Sequence, residues 1–171
     1  MKKIFLSTAV ALLSVGVQAQ TYGEIGYASI QVKGAYGLAA SPAAVRFILG
    51  YEVAPNLAAE GMLGFGLGKS NVKFDGVDDG YKLKLNQAVG LYAKPKVKLS
   101  EKVELYGRVG YTRTSTTFES DPALVRSSFS YGAGLNYAIN PSMSAYADYM
   151  QYFNKGGDKG LGLTFGVGFK F

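Results

Sequence analysis

The sequence ends with GLGLTFGVGFKF, residues 160–171, a stretch with a regular two-residue period. Every odd-numbered position in it is apolar: Leu161, Leu163, Phe165, Val167, Phe169 and Phe171. The even-numbered positions hold glycine, threonine and lysine. Strict alternation predicts a β-strand with one apolar and one polar face. Because the apolar face continues bare to the final phenylalanine, we interpret this stretch as the closing strand of a transmembrane barrel.

Seven earlier segments alternate in the same way, and odd-numbered positions carry the apolar side in nearly all of them. They cover residues 22–33, 44–53, 57–68, 82–99, 103–114, 127–139 and 143–153. In the fourth segment the pattern places Leu83 and Leu85 on the apolar side, and Pro95 predicts a bulge or a frayed strand end. The sequence therefore predicts an all-β protein, an eight-stranded antiparallel up-and-down transmembrane β-barrel.

The connections between these segments alternate in length. Residues 54–56, 100–101 and 140–142 read as tight turns. Residues 34–42, 69–80 and 115–125 read as long polar loops, and residues 154–159 as a shorter one. Short turns at one end and longer loops at the other are typical of outer-membrane barrels. An even number of strands places both termini at the short-turn end, which is the periplasmic side.

The first 19 residues have the features of a signal peptide. Lys2 and Lys3 precede an apolar run over residues 4–17 that is too short to span a bilayer, and Val17 and Ala19 define a cleavage site. We therefore predict a signal peptide at residues 1–19 and a barrel at residues 20–171, exported across the inner membrane to the cell outer membrane.

Alternation alone is shared with soluble lipocalin-type barrels, which turn the apolar face inward. Three observations favour the membrane barrel. The polar positions are rich in glycine and carry both signs of charge, and the chain ends on an aromatic residue after a signal peptide. Aromatic residues also lie near segment ends, where they would form interfacial girdles. These are Tyr51, Tyr92, Tyr111, Tyr131, Tyr137, Tyr149 and Phe171.

Composition argues against several classes of function. The chain has no histidine and no cysteine, so it lacks the commonest general base, the commonest metal ligand and any disulfide. The formal charge of +6 is not concentrated in a run dense enough for nucleic acid. Asp75, Asp78 and Asp79 do not have EF-hand spacing, and we interpret them as a solvated loop. We expect no enzymatic activity, no cofactor and no metal site.

Four charged residues on the polar parity predict a layer inside the barrel. Counted from their nearest tight turns, Glu60, Lys94, Arg108 and Asp148 fall at a similar depth. Two acids and two bases balance there, as buried charges require. Arg46 counts to a position further from the turns. Glu52, Glu104 and Lys96 count to positions nearer the periplasmic end. We interpret the layer as a filling that rigidifies the barrel; a gate or a proton path is the alternative.

Three stretches resemble the outer membrane protein A and OmpX-like family of eight-stranded barrels. They are GYEVAPNLAAE at residues 50–60, the stretch 93–110 with its LYGRVG, and the stretch 137–149 with its YAINP. The resemblance covers residues 20–171 and implies an outer-membrane barrel, without the peptidoglycan-binding domain of longer members. In that family the lumen holds a glutamate, a lysine, a second glutamate and an arginine. Glu60 and Lys94 match the first two, whereas Asn136 and Tyr146 stand at the other two places.

The resemblance extends to the C-terminus, where Phe169 and Phe171 are similar to the aromatic signature that the barrel-assembly machinery recognises. Six basic residues in or beside the outward loops are candidate lipopolysaccharide contacts: Lys69, Lys73, Arg113, Arg126, Lys155 and Lys159. We expect a monomer surrounded by outer-membrane lipids and lipopolysaccharide. Its expected role is membrane integrity and surface interaction, with a narrow porin-like pore as the alternative.

Overall fold

The computed structural model describes residues 20–34, 37–118 and 122–171. Their ten β-strands are β1 (Thr21–Lys33), β2 (Leu38–Ala40), β3 (Ala43–Ala54), β4 (Leu57–Gly66), β5 (Lys69–Phe74), β6 (Val77–Lys98), β7 (Val103–Phe118), β8 (Leu124–Asn140), β9 (Met143–Lys155) and β10 (Asp158–Lys170). Over these ranges no helix is long and apolar enough to cross a bilayer. The predicted signal peptide at residues 1–19 lies outside the described residues.

The strands in the described part of the chain close into an eight-stranded barrel. Neighbours follow the order β1, β3, β4, β6, β7, β8, β9 and β10, and β10 pairs back to β1. The closing ladder is antiparallel and runs from Tyr22 opposite Lys170 to Lys33 opposite Lys159. The Phe171 backbone N–H extends it by donating to the Thr21 carbonyl at 2.9 Å. The predicted eight-stranded barrel and its closing strand are confirmed.

At two of the eight positions around the barrel the strand is interrupted and then resumes beyond the main barrel. Two residues separate the end of β2 from the start of β3, and two separate the end of β4 from the start of β5. β2 pairs with β1 and β5, and β5 pairs with β6, so the eight-stranded arrangement continues toward the end opposite the chain termini. We call this the outward end and the end with the termini the periplasmic end, as the short turns indicate. Long loops at residues 34–42, 69–80 and 115–125 were the expectation. It is wrong where β2, β5, the start of β6, the end of β7 and the start of β8 lie.

A tight hairpin replaces the centre of the expected loop 69–80. Asp75 and Gly76 connect β5 to β6 with φ angles of 48° and 87°. Two successive residues with positive φ make the turn that matches the twist of a β-hairpin, and Asp-Gly is a preferred sequence for it. Gly156 and Gly157, with φ angles of 66° and 88°, make the same kind of connection between β9 and β10.

Side chains on the odd-numbered positions face outward, as predicted, over most of the barrel. Leu49 and Leu91 are 62% and 72% exposed, as a lipid-facing surface requires. Leu83 and Leu85 were expected on this face, and that expectation is wrong because both are buried. The register of β6 against β7 shifts between Leu85 and Gln87, and one extra residue reverses which parity faces inward.

Two further expectations need correction. Tyr92 was expected in the interfacial girdle, but its even number places it in the lumen, where it is 5% exposed. Pro95 marks neither a register shift nor a strand end. Ala93 opposite Val109 and Lys96 opposite Tyr106 keep one register on either side of it, so the proline only interrupts the ladder between β6 and β7.

Candidate functional site

The lumen contains three layers of different chemistry. The outward half is lined mainly by apolar side chains such as Ile30, Met62 and Leu85. A cluster of charged residues fills the middle. Nearer the periplasmic end, a polar vestibule is lined by residues that include Lys96 and Glu104. The middle layer separates the two spaces and is the candidate functional site.

Six charged side chains from six strands form this middle layer, which we call the lumen cluster. They are Glu24 of β1, Arg46 of β3, Glu60 of β4, Lys94 of β6, Arg108 of β7 and Asp148 of β9. Each of them is at most 6% exposed. Three acids and three bases cancel, so a group of charges that would each be costly to bury alone is neutral as a whole.

Arg108 is the centre of the lumen cluster because its guanidinium contacts all three acids. Its Nη2 lies 2.5 Å from Glu24 Oε2, its Nε lies 2.5 Å from Glu60 Oε2, and its Nη1 pairs with Asp148 Oδ2. A planar guanidinium with five donors suits this task, since it binds several carboxylates in fixed directions. Arg108 is 0% exposed, so its guanidinium donates to these carboxylates instead of to water.

Lys94 joins the two glutamates from the opposite side. Its Nζ donates to Glu24 Oε1 at 2.8 Å and lies 3.2 Å from Glu60 Oε1. The same ammonium lies 4.7 Å from the ring centre of Tyr22 and 4.4 Å from that of Tyr106. Aromatic faces attract a cation, and the attraction grows when water is excluded. Lys94 is thereby held in one position by two carboxylates and two rings.

Arg46 reaches the cluster through Asp148. Its Nη1 donates to Asp148 Oδ1 at 2.9 Å and to the Tyr152 hydroxyl at 3.1 Å, and its Nη2 pairs with Asp148 Oδ2. The Tyr106 hydroxyl donates to the same carboxylate at 3.1 Å. Asp148 therefore accepts from two arginines and one tyrosine, which leaves it fully partnered although only 2% of it is exposed.

Glycine on the neighbouring strand makes room for the tyrosines of this layer. The Tyr22 hydroxyl donates to Glu60 Oε1 at 2.6 Å, and its ring lies over Gly50. A Cβ at Gly50 would lie 2.1 Å from the Tyr22 ring, a distance that no packing tolerates. The glycines of the polar parity thus let large aromatic rings lie flat against the inner wall.

A second group of charges lies below the cluster, in the vestibule. Lys96 pairs with Glu52 and lies 3.8 Å from Glu104. The two glutamate side chains are 20% and 17% exposed, so water screens this group more than the lumen cluster. Its position agrees with the counting from the turns, which placed these three residues nearer the periplasmic end.

The structure brings the four residues singled out in the sequence into one cluster, and it adds two. Glu24 escaped the analysis because the first segment alternates least regularly. Arg46 was expected further from the periplasmic end, outside the layer, whereas it binds Asp148. Asn136 and Tyr146 lie opposite each other in the ladder between β8 and β9. Tyr146 is buried beside the cluster, with its ring centre 5.6 Å from Arg46 Cζ, whereas Asn136 lines the vestibule.

The candidate lipopolysaccharide contacts differ in their surroundings. Lys69, Lys73, Arg113 and Lys159 are exposed, and the side chain of Lys155 lies outside the described residues. Arg126 is committed to an ion pair with Asp158 at 2.5 Å. Two further lysines belong to the same surface: Lys33 lies opposite Lys159 in the β1–β10 ladder, and Lys84 lies opposite Lys69 in the β5–β6 ladder.

Among the residues that the structure describes, no group of three or more histidine, cysteine, aspartate or glutamate side chains is arranged to hold a metal ion. The acids of the lumen cluster are instead saturated by arginine, lysine and tyrosine donors. The site offers fixed, paired charges.

Comparison with known proteins gives a consistent family. The model of the outer membrane protein beta-barrel domain matches residues 5–171.

Neisserial surface protein A, from Neisseria, is 19% identical with a TM-score of 0.68, covering 91% of this chain and 100% of that chain. Ail, the attachment invasion locus protein of Yersinia pestis, is 22% identical with a TM-score of 0.63 and the same coverage; it was also solved in complex with the heparin analogue sucrose octasulfate. OprG from Pseudomonas aeruginosa is 14% identical with a TM-score of 0.55, covering 90% of this chain and 95% of that chain. At these identities the likenesses show the fold alone, and no curated protein matches the chain.

Proposed function

Because this chain belongs to the outer membrane protein β-barrel family and resides in the cell outer membrane, we propose that it is a non-enzymatic structural barrel whose outward end contacts lipopolysaccharide. The observation that carries the structural role is the lumen cluster. It crosses the whole lumen from β1 to β9 with charges that are at most 6% exposed and bound to one another. A neutral plug of this kind, in which every charge has an opposite charge beside it, stiffens the barrel and opposes the passage of water and solutes.

Pairs of lysines on the outer surface support the contact with lipopolysaccharide. Lys33 and Lys159 face each other across one ladder, and Lys69 and Lys84 across another. Like charges directly opposite each other in a sheet repel, so an anion between them would relieve a cost. The phosphate groups of lipopolysaccharide are such anions. Ail was solved with a sulfated sugar, which makes a negatively charged saccharide a reasonable ligand for a barrel of this fold.

The test of this contact is charge reversal with a matched control. The quadruple variant Lys33→Glu, Lys159→Glu, Lys69→Glu and Lys84→Glu should lose lipopolysaccharide that co-purifies with the wild type in mild detergent. Cells that carry it should admit more of a large hydrophobic antibiotic. The control variant reverses Lys98 and Lys102, which are exposed at the periplasmic end. Equal lipopolysaccharide retention and equal antibiotic entry in both variants would remove the proposed contact.

A narrow pore is the second candidate, and the position of the cluster favours it. Arg46 lines the outward cavity, and Glu24 and Lys94 line the periplasmic vestibule, so one layer of side chains separates the two spaces. A rearrangement of Lys94 between its two glutamates would open a path. In liposomes, Lys94→Gln should then raise potassium flux well above the wild type. If flux stays at the background level while the variant remains folded, the pore is not supported.

A further inference from the structure

The outward half of the lumen contains apolar space above the cluster. Its lower part has a volume of about 30 Å³ and lies between Ile30, Met62, Leu85 and Phe153. Its wider mouth has a volume of about 210 Å³ and lies between strands of the outward extension. Val32 lines both parts, so the mouth and the lower cavity adjoin each other at this residue.

Small side chains produce the lower cavity. Arg46, Gly64, Ala88 and Thr114 lie opposite one another in a single row across β3, β4, β6 and β7. Gly64 and Ala88 occupy the middle of that row and leave the space between the two longer side chains unfilled. A Cβ at Gly64 would have the Ala88 side chain as its nearest neighbour, at 3.4 Å.

Two buried polar atoms border this cavity without a partner. Neither Arg46 Nε nor Thr114 Oγ1 hydrogen-bonds to any residue that the structure describes. The two side chains are 2% and 6% exposed, and both line the cavity. A buried donor without an acceptor costs about 1–3 kcal/mol. Nε–H donates and the hydroxyl can donate as well, so a ligand oxygen that lay between the two side chains would accept from both.

We infer that the outward half of the lumen binds a single unbranched apolar molecule that carries one terminal oxygen, such as a medium-chain alcohol. Its oxygen accepts hydrogen bonds from Arg46 and Thr114. Its hydrocarbon chain passes between Leu85 and Phe153 and leaves through the mouth beside Val72 and Leu83. An eight-stranded barrel holds one small ligand where its lining side chains leave room, as Gly64 and Ala88 do here, and Met62 can adjust its side chain to the chain's width. This binding site is independent of the structural role of the lumen cluster, so each can be tested without the other.

The test uses the refolded full-length barrel in phospholipid nanodiscs, because detergent chains would compete for the site. A medium-chain alcohol with a diazirine in its chain is photolysed on the protein, and the labelled residues are mapped by mass spectrometry. Labelling of Met62 and Phe153 should saturate and be displaced by decanol far better than by decane. Labelling of the lipid-facing Leu63 should rise in proportion to the alcohol in the bilayer without saturating.

Two lumen variants and one lipid-facing control decide the outcome. Ala88→Leu fills the cavity and should abolish the saturable labelling, whereas its lipid-facing neighbour Val89→Leu should leave it unchanged. Thr114→Val keeps the shape and should weaken decanol competition about tenfold, the effect of one lost hydrogen bond. The wild-type competition experiment stands even if Ala88→Leu does not fold. Labels confined to lipid-facing residues, or lumen labelling that decanol and decane displace equally, would overturn the inference and leave water as the occupant of the cavity.

Discussion

Replacing Arg108 with methionine removes the guanidinium that binds all three acids of the lumen cluster. Methionine preserves much of the length and the apolar stem of the side chain. The variant therefore changes the charge of the layer more than its volume. Glu24, Glu60 and Asp148 would then face only Arg46 and Lys94, and one negative charge would stay buried without a partner.

The expected loss of stability follows from that imbalance. Removing one partner of a buried ion pair costs about 3–5 kcal/mol, mostly because the remaining charge cannot reach water. The acids of this cluster are at most 6% exposed, so the upper part of the range applies. Arg108→Met combined with Glu60→Gln restores neutrality and should recover about 1–3 kcal/mol, the usual coupling between contacting residues. Lys96→Met is the matched control, since its partners are partly exposed and its loss should cost about 1 kcal/mol or less.

The measurement is equilibrium unfolding by urea in phospholipid vesicles, followed by far-ultraviolet circular dichroism. The chain has no tryptophan, so the common fluorescence signal is not an option. If Arg108→Met unfolds at the same urea concentration as Lys96→Met, the cluster does not stabilise the barrel through its charge balance. The same conclusion holds if the neutral double variant is less stable than Arg108→Met alone.

Three further predictions concern separate parts of the chain. Deleting Phe171 should lower the amount of barrel in the outer membrane of cells, whereas the refolded variant should unfold in urea close to the wild type; normal membrane levels would show that the assembly signal lies elsewhere. Gly50→Ala should destabilise the barrel by about 1–3 kcal/mol because the new Cβ meets the Tyr22 ring, and Gly61→Ala, with nothing within 4 Å of its Cβ, is the control that should be neutral in the same urea titration. Gly76→Val should cost about 1–3 kcal/mol because its φ of 87° strains a branched residue, whereas Gly76→Asn should lose less; equal midpoints for the two would contradict the hairpin geometry.

Periodicity and turn chemistry were enough to predict the barrel itself. The alternation in segments such as residues 44–53 and 160–171 is dictated by the membrane, because one face meets lipid and the other a crowded lumen. Counting from the tight turns also predicted that Glu60 and Arg108 lie at a similar depth. Each lies on a strand that begins at a periplasmic turn, so the count stays within that strand.

The position of Arg46 shows where such counting fails. Around one side of the barrel, Arg46 lies opposite Gly64, four residues further out than Glu60. Around the other side, the row from Asp148 passes through Thr164 and Ala28 and reaches Ala44, one inward-facing position further out than Arg46. Strands that tilt in a closed barrel produce this stagger, and a single sequence does not reveal its size. The length of the arginine side chain then covers the remaining distance.

Local irregularities account for the other differences. The bulge beside Leu85 adds one residue and reverses the inward parity of β6, which no alternation pattern records. The signal for the β5–β6 hairpin was present, because Asp75-Gly76 is a preferred two-residue turn. The polar composition of residues 69–80 favoured a long loop instead.

Single-channel recording of the wild-type protein in planar lipid bilayers shows whether the neutral lumen cluster closes the lumen. We expect a flat current trace with no resolved conductance steps for the wild type, and steps in Arg108→Met, where the plug has lost its centre. Reproducible, ohmic steps from the wild-type barrel, of the same size as those from Arg108→Met, would contradict this expectation.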